Sequence, residues 1–81
     1  MPNETAMRLL HATRDQLHGR PTREITPFGA AEMAGLDPYQ REYDEAVRYL
    51  LDHGYVESYP HPSHGLYRVT NKGLEEILSS L

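Results

Sequence analysis

Cysteine and tryptophan are absent from the 81 residues, and phenylalanine occurs once. Without a thiol, the chain has neither a disulfide framework nor a thiolate metal site. It also lacks an apolar run long enough to span a membrane, and its N-terminal residues are polar and amphipathic, unlike a signal peptide. The sequence therefore predicts one small, soluble, cytoplasmic domain with no membrane association, whose core consists of aliphatic residues and tyrosine.

A basic surface is lacking too, because the formal net charge is −4. The excess lies in one segment: residues 37–57 contain two arginines and six carboxylates, whereas residues 1–36 and 58–81 are each neutral. General polyanion binders are usually basic, so this balance disfavours nonspecific binding to nucleic acid. We expect the acidic segment to form a solvated face or a surface for a protein partner.

Four helical segments are indicated by capping residues that precede apolar residues at helical spacing. They are predicted to begin after Asn3, Thr26, Asp37 and Thr70. In the second and third helices, proline is expected to occupy the first helical position, where its missing N–H costs nothing. The first helix is predicted to run to Leu17, and Gly35 and Gly54 are predicted to end the second and the third.

Each long helix has one apolar face that is predicted to enter the core. The face of the first helix is formed by Ala6, Leu9, Leu10, Thr13 and Leu17. The face of the third helix is formed by Tyr39, Tyr43, Ala46, Val47, Leu50 and Leu51. The face of the last helix is formed by Leu74, Ile77, Leu78 and Leu81. The last of these faces is expected to pack on the first helix or to form a weak homodimer with its copy.

A β-hairpin is predicted between the third and the last helix. Val56–Tyr59 and Leu66–Thr70 have the composition of strands, and the residues between Pro60 and Gly65 have that of a turn. Glu24–Ile25 is predicted to form a short extended piece. The fold class is therefore mostly α with a small antiparallel β-hairpin, or α+β.

Three motifs carry a resemblance to a known fold: AEMAGL in the second helix, AVRYLLDHGYVE across the end of the third helix, and LYRVTNKGLEEI across the second strand. In this order they resemble winged helix-turn-helix proteins such as the MarR-type and PadR-type transcription regulators. The resemblance covers about residues 25–78. It implies a single domain over residues 1–81, with the helix-turn-helix at about 26–53, the wing at about 55–70 and a C-terminal helix at about 71–80.

The resemblance implies a transcription regulator that binds double-stranded DNA. In such proteins the third helix enters the major groove and the wing contacts phosphate or the minor groove. Carried over by position, the implied DNA-binding residues are Thr26, Tyr39, Gln40, Arg41, Asp44, Arg48, His61, Ser63, His64 and Arg68. Arginine suits guanine, glutamine suits adenine, and Thr26 lies where backbone N–H groups often hold phosphate.

The same residues allow other interpretations. Arg41 and Arg48 have acidic neighbours at i, i+3 and i, i+4 spacing, so they are equally expected to form ion pairs on a solvated helix face. The acidic third helix alternatively predicts a winged helix that serves as a protein–protein interaction module. His61 and His64 form an H-x-x-H pair, which is more often a solvated turn than a zinc site. We expect no cofactor, no metal and no enzymatic activity.

Overall fold

The computed structural model describes residues 3–19, 23–58 and 67–79. The elements, in chain order, are α1 (Glu4–Ala12), a 3₁₀ helix (Thr13–Leu17), β1 (Glu24–Ile25), α2 (Pro27–Met33), α3 (Arg41–Asp52), β2 (Val56–Ser58), β3 (Tyr67–Val69) and α4 (Asn71–Ser79). In these described ranges, no helix has the length and apolar character needed to cross a membrane. The predicted α+β class is confirmed.

The strands form an antiparallel sheet in the order β1-β3-β2. Val56 pairs with Val69, and Ser58 pairs with Tyr67, so the predicted hairpin strands are confirmed. The predicted extended piece at Glu24–Ile25 joins the other edge of β3. The third strand matters because a two-stranded hairpin alone is marginally stable in water. The predicted turn between Pro60 and Gly65 lies outside the described residues.

The core lies where α1 packs against α2, α3 and α4. Its buried apolar residues are Ala6, Leu9, Leu10, Ile25, Ala30, Ala31, Ala46, Val47, Leu50, Val56, Val69 and Ile77. The predicted apolar face of the first helix is confirmed, because its central leucines have no exposed surface. The short second helix contributes alanines, which allow α1 to approach it closely.

The predicted single helix over residues 4–17 is wrong in its second half. The α-helix ends at Ala12, and a 3₁₀ helix continues to Leu17. Thr13 is 1% exposed, and its hydroxyl donates to the carbonyl of Leu10 at 2.6 Å. A threonine hydroxyl bonded within its own segment competes with the backbone pattern of the α-helix. The change from α-helix to 3₁₀ helix therefore occurs at a buried threonine whose hydroxyl is satisfied by a carbonyl of the preceding turn.

The third helix begins at Arg41 and not, as predicted, at Pro38. The carboxylate of Asp37 accepts from the amide of Tyr39 at 2.9 Å, and the carbonyl of Asp37 accepts from the amide of Gln40 at 3.1 Å. Asp followed by Pro suits a β-turn as well as a helix start, and here the turn forms. The connection between α2 and α3 therefore spans residues 34–40 and is longer than the predicted tight turn.

This turn also corrects the predicted apolar face of the third helix. Tyr39 precedes the helix and is 84% exposed, so its predicted burial is wrong. The remaining positions follow the prediction: Ala46, Val47 and Leu50 are buried, and Tyr43 and Leu51 pack against the core from its edge.

Glycine ends α2 and α3 in the same way. Gly35 and Gly54 both have a φ of +75°, a left-handed conformation that glycine adopts without a Cβ penalty. In each case the glycine amide and the next amide donate back to the last turn, as with Tyr55 N to Leu50 O at 2.9 Å. The predicted helix ends at Gly35 and Gly54 are therefore confirmed.

A junction between α3 and α4 is formed by the sequence Thr70-Asn71-Lys72-Gly73. The Thr70 hydroxyl oxygen accepts from the Gly73 amide at 3.1 Å, which confirms the predicted cap. The same hydroxyl donates a hydrogen bond that is shared between two carbonyl oxygens, Gly54 O at 2.5 Å and Tyr55 O at 3.0 Å. Lys72 Nζ donates to His53 O at 2.6 Å and lies 4.6 Å from the centre of the Tyr55 ring. These contacts fasten the end of α3 to the start of α4.

The predicted apolar face of the last helix divides between core and solvent. Ile77 is buried and Leu74 packs against the core, whereas Leu78 is 53% exposed. Leu81 lies outside the described residues. Much of the face is thus used within the domain, where α4 packs on α1 as predicted. The weak homodimer stays a prediction.

Candidate functional site

The exposed face of α3 carries most of the candidate residues. Tyr39 and Gln40 lie in the turn before the helix, and Arg41, Asp44 and Arg48 lie on it; all are exposed. With 3.6 residues per turn, Arg41 and Arg48 point in nearly the same direction, and Asp44 lies to one side of them. The structure therefore brings these five candidates to one surface.

The turn before α3 is held in place by two kinds of contact. The Asp37 carboxylate accepts from the Tyr39 amide and, at 3.5 Å, from the Gln40 side-chain nitrogen. The Tyr39 ring meets the Phe28 ring edge to face, with centroids 5.6 Å apart. Edge-to-face pairs of this kind are stabilising, so Tyr39 is exposed but has a defined orientation.

The ion pairs that the sequence predicts for the α3 arginines do not form among the described residues. No described carboxylate lies within 4.0 Å of Arg41 or Arg48. Glu42, which neighbours Arg41, instead accepts a hydrogen bond from the Thr5 hydroxyl of α1 at 2.7 Å. One of the carboxylates of α3 is thus turned away from the exposed face, and both arginines stay available to a ligand.

Other cations have partners inside the protein. The contacts are Arg8 to Ala34 O, Arg23 to Asn71 Oδ1, Arg68 to Glu57 and Lys72 to His53 O. Through these contacts the four cationic side chains join different elements of the fold. Arg41 and Arg48 of α3 differ from them, because their guanidinium groups have no such partner among the described residues.

A groove of about 630 Å³ lies between α3 and β3. Its lining residues are Tyr43, Asp44, Val47, Arg48, Leu51, Asp52 and Tyr67. Those on α3 form two lines at i, i+4 spacing, one of aromatic and aliphatic residues and one of charged residues. Tyr67 reaches the groove from β3, because alternate residues of a strand face opposite sides and Tyr67 is on the side of the helices.

Burial in this groove raises the pKa of Tyr43 above its ordinary value, and the neighbouring Tyr67 and Asp44 raise it further. A phenolate would be poorly hydrated there and would meet a carboxylate. The groove therefore disfavours additional negative charge.

The free energy of unfolding at alkaline pH should depend on the raised pKa of Tyr43. The raised pKa of Tyr43 means that the folded protein holds the phenolic proton more tightly than the unfolded chain. The resulting stabilisation is complete below pH about 10 and is lost as the pH rises through the folded pKa. Tyr43→Phe should therefore flatten the decline in the free energy of unfolding above pH about 10, measured by urea denaturation. Parallel declines in the two proteins would contradict this prediction.

Arg68 lies apart from the α3 candidates. It is central in a row across the sheet, where it pairs in register with Glu24 on β1 and Glu57 on β2. The guanidinium is 3.5 Å from the Glu57 carboxylate, and the Arg68 side chain is half exposed. Since Tyr67 faces the helices, Arg68 faces the opposite side of the sheet. Opposite charges directly across strands stabilise a sheet, which is a structural role for Arg68.

Thr26 is half-buried at the start of α2, and its backbone is held by one side chain. The Gln16 carbonyl oxygen accepts from the Thr26 amide at 2.6 Å, and the Gln16 nitrogen donates to the Thr26 carbonyl at 3.0 Å. Within the described part of the chain, the Thr26 side chain makes no capping hydrogen bond to α2. His61, Ser63 and His64 lie outside the described residues. Among the residues that are described, no group of three His, Cys, Asp or Glu side chains is arranged to hold a metal.

Comparison of this chain with protein-family models, with curated proteins and with solved structures found no match. The candidate functional surface is therefore the exposed face of α3. That surface combines the exposed arginines of α3 with an adjacent groove. The sequence predicted the exposed arginines but not the groove. The i, i+4 spacing of Tyr43, Val47 and Leu51 did indicate the side of the groove that α3 forms.

Proposed function

We propose that this protein is a winged-helix domain that binds double-stranded DNA through the exposed face of α3. The winged-helix assignment is supported by the order α2, α3, β2, β3, α4, in which a hairpin directly follows the second helix of the pair. It is also supported by the motifs of the resemblance, since HGY and VTNKG form the junction between α3 and α4.

The observation that carries the DNA-binding proposal is the pair of arginines on α3. Arg41 and Arg48 are exposed on one face, seven residues apart, and no described carboxylate lies within 4.0 Å of either. A guanidinium in this position makes paired hydrogen bonds to the O6 and N7 atoms of guanine. Gln40 at the start of α3 has the chemistry to pair with adenine, and Asp44 can accept from the amino group of cytosine.

The carboxylates of α3 set the expected character of the binding. Glu42 is held by Thr5, but Asp44, Glu45 and Asp52 stay exposed and repel phosphate. Few phosphate contacts are then available, and each contact adds about 0.9 to the slope of log K against log salt. We therefore expect modest affinity with a shallow salt dependence, and selectivity that comes from base contacts.

The test is fluorescence anisotropy with a randomised pool of duplexes at low salt, followed by selection of the bound sequences. Arg41→Ala and Arg48→Ala should each reduce discrimination among sequences by about 1–3 kcal/mol at the contacted position. Arg14→Ala is the matched control, because Arg14 is also exposed but belongs to the 3₁₀ helix and not to α3. It should leave the selected sequences unchanged.

Arg68→Ala adds a second comparison. The resemblance implies a wing contact to phosphate, and such a contact would weaken binding to all sequences about equally when it is removed. The pairing of Arg68 with Glu57 on the far side of the sheet predicts little change in DNA affinity.

The DNA-binding proposal fails if the wild type selects no sequence and binds DNA no better than the Arg41→Ala, Arg48→Ala double variant. In that case α3 is better explained as a protein-interaction surface. The observation that favours this second function is the set of exposed carboxylates on α3, Asp44, Glu45 and Asp52, of which Asp44 and Asp52 line the groove.

A further inference from the structure

We infer that the groove between α3 and β3 binds a basic segment of a partner polypeptide. This goes beyond the proposed DNA binding, because the groove extends along the C-terminal half of α3 and includes Tyr67 of β3. The groove has an apolar floor and an acidic rim. The floor specifies an apolar side chain of the ligand, and the rim specifies its basic side chains.

The floor of the groove is apolar and aromatic. Val47 is buried with 8% of its surface exposed, and Tyr43, Leu51 and Tyr67 are partly covered by the domain but still border the open volume. A volume of about 630 Å³ lies in the range of sites that bury small ligands or a few side chains. One aliphatic or aromatic side chain of a partner would therefore remove apolar surface from water here.

The rim of the groove carries Asp44 and Asp52, with Arg48 between them. No lysine, arginine or histidine nitrogen of the described residues lies within 4.0 Å of either carboxylate. The surrounding segment, residues 37–57, holds the whole net charge of −4. Complementary charge fixes register and rejects wrong partners, so the two rim carboxylates favour a ligand that carries a cation opposite each of them.

The spacing of the carboxylates specifies the ligand further. Asp52 follows Asp44 by eight positions of the α-helix, a rise of about 12 Å. An extended peptide advances about 3.3 Å per residue, and its residues i, i+2 and i+4 lie on one face. The matching sequence is therefore basic-x-apolar-x-basic, with the apolar residue over Val47 and Leu51. Arg48 then meets a backbone carbonyl of the segment and not a side chain.

The tyrosines of the groove suit the same ligand. A lysine or arginine side chain that approaches Asp44 passes beside the rings of Tyr43 and Tyr67, and cations are attracted to the faces of aromatic rings. Because Asp44 and Arg48 belong both to the groove and to the proposed DNA-binding face, a bound basic segment would exclude DNA from α3.

The experiment uses the full chain and synthetic peptides, with no DNA present. A capped peptide containing K-S-L-S-K is titrated against the labelled protein while amide and tyrosine ring signals are followed by NMR. We expect shifts confined to α3 and Tyr67. A peptide of the same composition with adjacent lysines, and an E-S-L-S-E peptide, should bind at least about tenfold more weakly.

The variants separate specific recognition from general charge attraction. Asp44→Asn, Asp52→Asn should reduce affinity for K-S-L-S-K by about tenfold, because both rim charges are lost while their shapes are kept. Glu75→Gln removes a carboxylate from the exposed side of α4 and should change affinity by less than about twofold.

The inference is overturned if K-S-L-S-K causes no shifts at about 1 mM, if the rearranged peptide binds equally well, or if Glu75→Gln weakens binding as much as the aspartate variant. None of these results depends on DNA. Failure of DNA binding therefore leaves this inference standing, and failure of peptide binding leaves the DNA proposal standing.

Discussion

Gly73→Ala should lower the free energy of unfolding by about 3 kcal/mol or more. A Cβ at this position would lie 2.1 Å from the carbonyl oxygen of Tyr55 and 2.9 Å from Cγ1 of Val69. The first distance is far below van der Waals contact, and the obstructing atom belongs to the backbone. The first turn of α4 therefore has to move away from the end of α3 in this variant.

Moving α4 away from the end of α3 would disturb other stabilising contacts. The Tyr55 carbonyl accepts from the Thr70 amide at 3.1 Å and from the Thr70 hydroxyl at 3.0 Å. A shift of α4 would stretch both hydrogen bonds and would also disturb Val69, which is fully buried. A partly buried acceptor that loses its donors adds to the cost of overpacking, by at most the ~1–3 kcal/mol of a fully buried one.

Gly29→Ala is the matched control for this prediction. Gly29 lies within α2, and the nearest atom that its Cβ would meet, beyond its own helix, is the Gln16 side-chain nitrogen at 3.6 Å, an ordinary contact. Alanine is favoured over glycine in a helix interior by about 0.5–1 kcal/mol, so this variant should be slightly more stable. Urea denaturation measures both changes. A wild-type midpoint for Gly73→Ala would show that α4 does not contact Tyr55 as described.

Leu50→Ala should cost about 2–5 kcal/mol, which is a large share of the stability of a small domain. Leu50 is 2% exposed and lies on the face of α3 that packs against α1. Removing most of its side chain leaves a cavity that the surrounding helices can fill only in part. Both thermal unfolding and urea denaturation should show the loss.

The control for Leu50 is the same substitution at an exposed leucine. Leu78 is 53% exposed on α4, so Leu78→Ala creates no cavity and should change stability by about 0.5 kcal/mol or less. Comparable losses for the two variants would mean that α4 buries Leu78 against something, for example a second copy of the chain.

The local elements of the fold were predictable because their signals are local. Thr70 caps α4, and Gly54 ends α3, for reasons that involve only neighbouring residues. The apolar face of α1 was predictable for the same reason, because it follows from the spacing of apolar residues within one helix. The start of α3 was mispredicted because Asp37-Pro38 fits a helix start and a β-turn equally well, and the sequence does not rank the two.

The candidate site was predictable only in part, because its other half depends on tertiary placement. Arg41 and Arg48 were identified from one helix. The approach of Tyr67 to α3 follows from the register of the sheet, and the capture of Glu42 by Thr5 follows from the packing of α1 on α3. Neither contact has a signal in the sequence of a single element.

The junction formed by Thr70 and Lys72 has a consequence for how this protein can evolve. It joins the chain just before β2 to the chain just after β3, so both ends of the hairpin are held at its base. Chain length added to or removed from the segment between the two strands leaves that base in place. Variation in that segment can therefore accumulate while the contacts that join α3 to α4 stay unchanged.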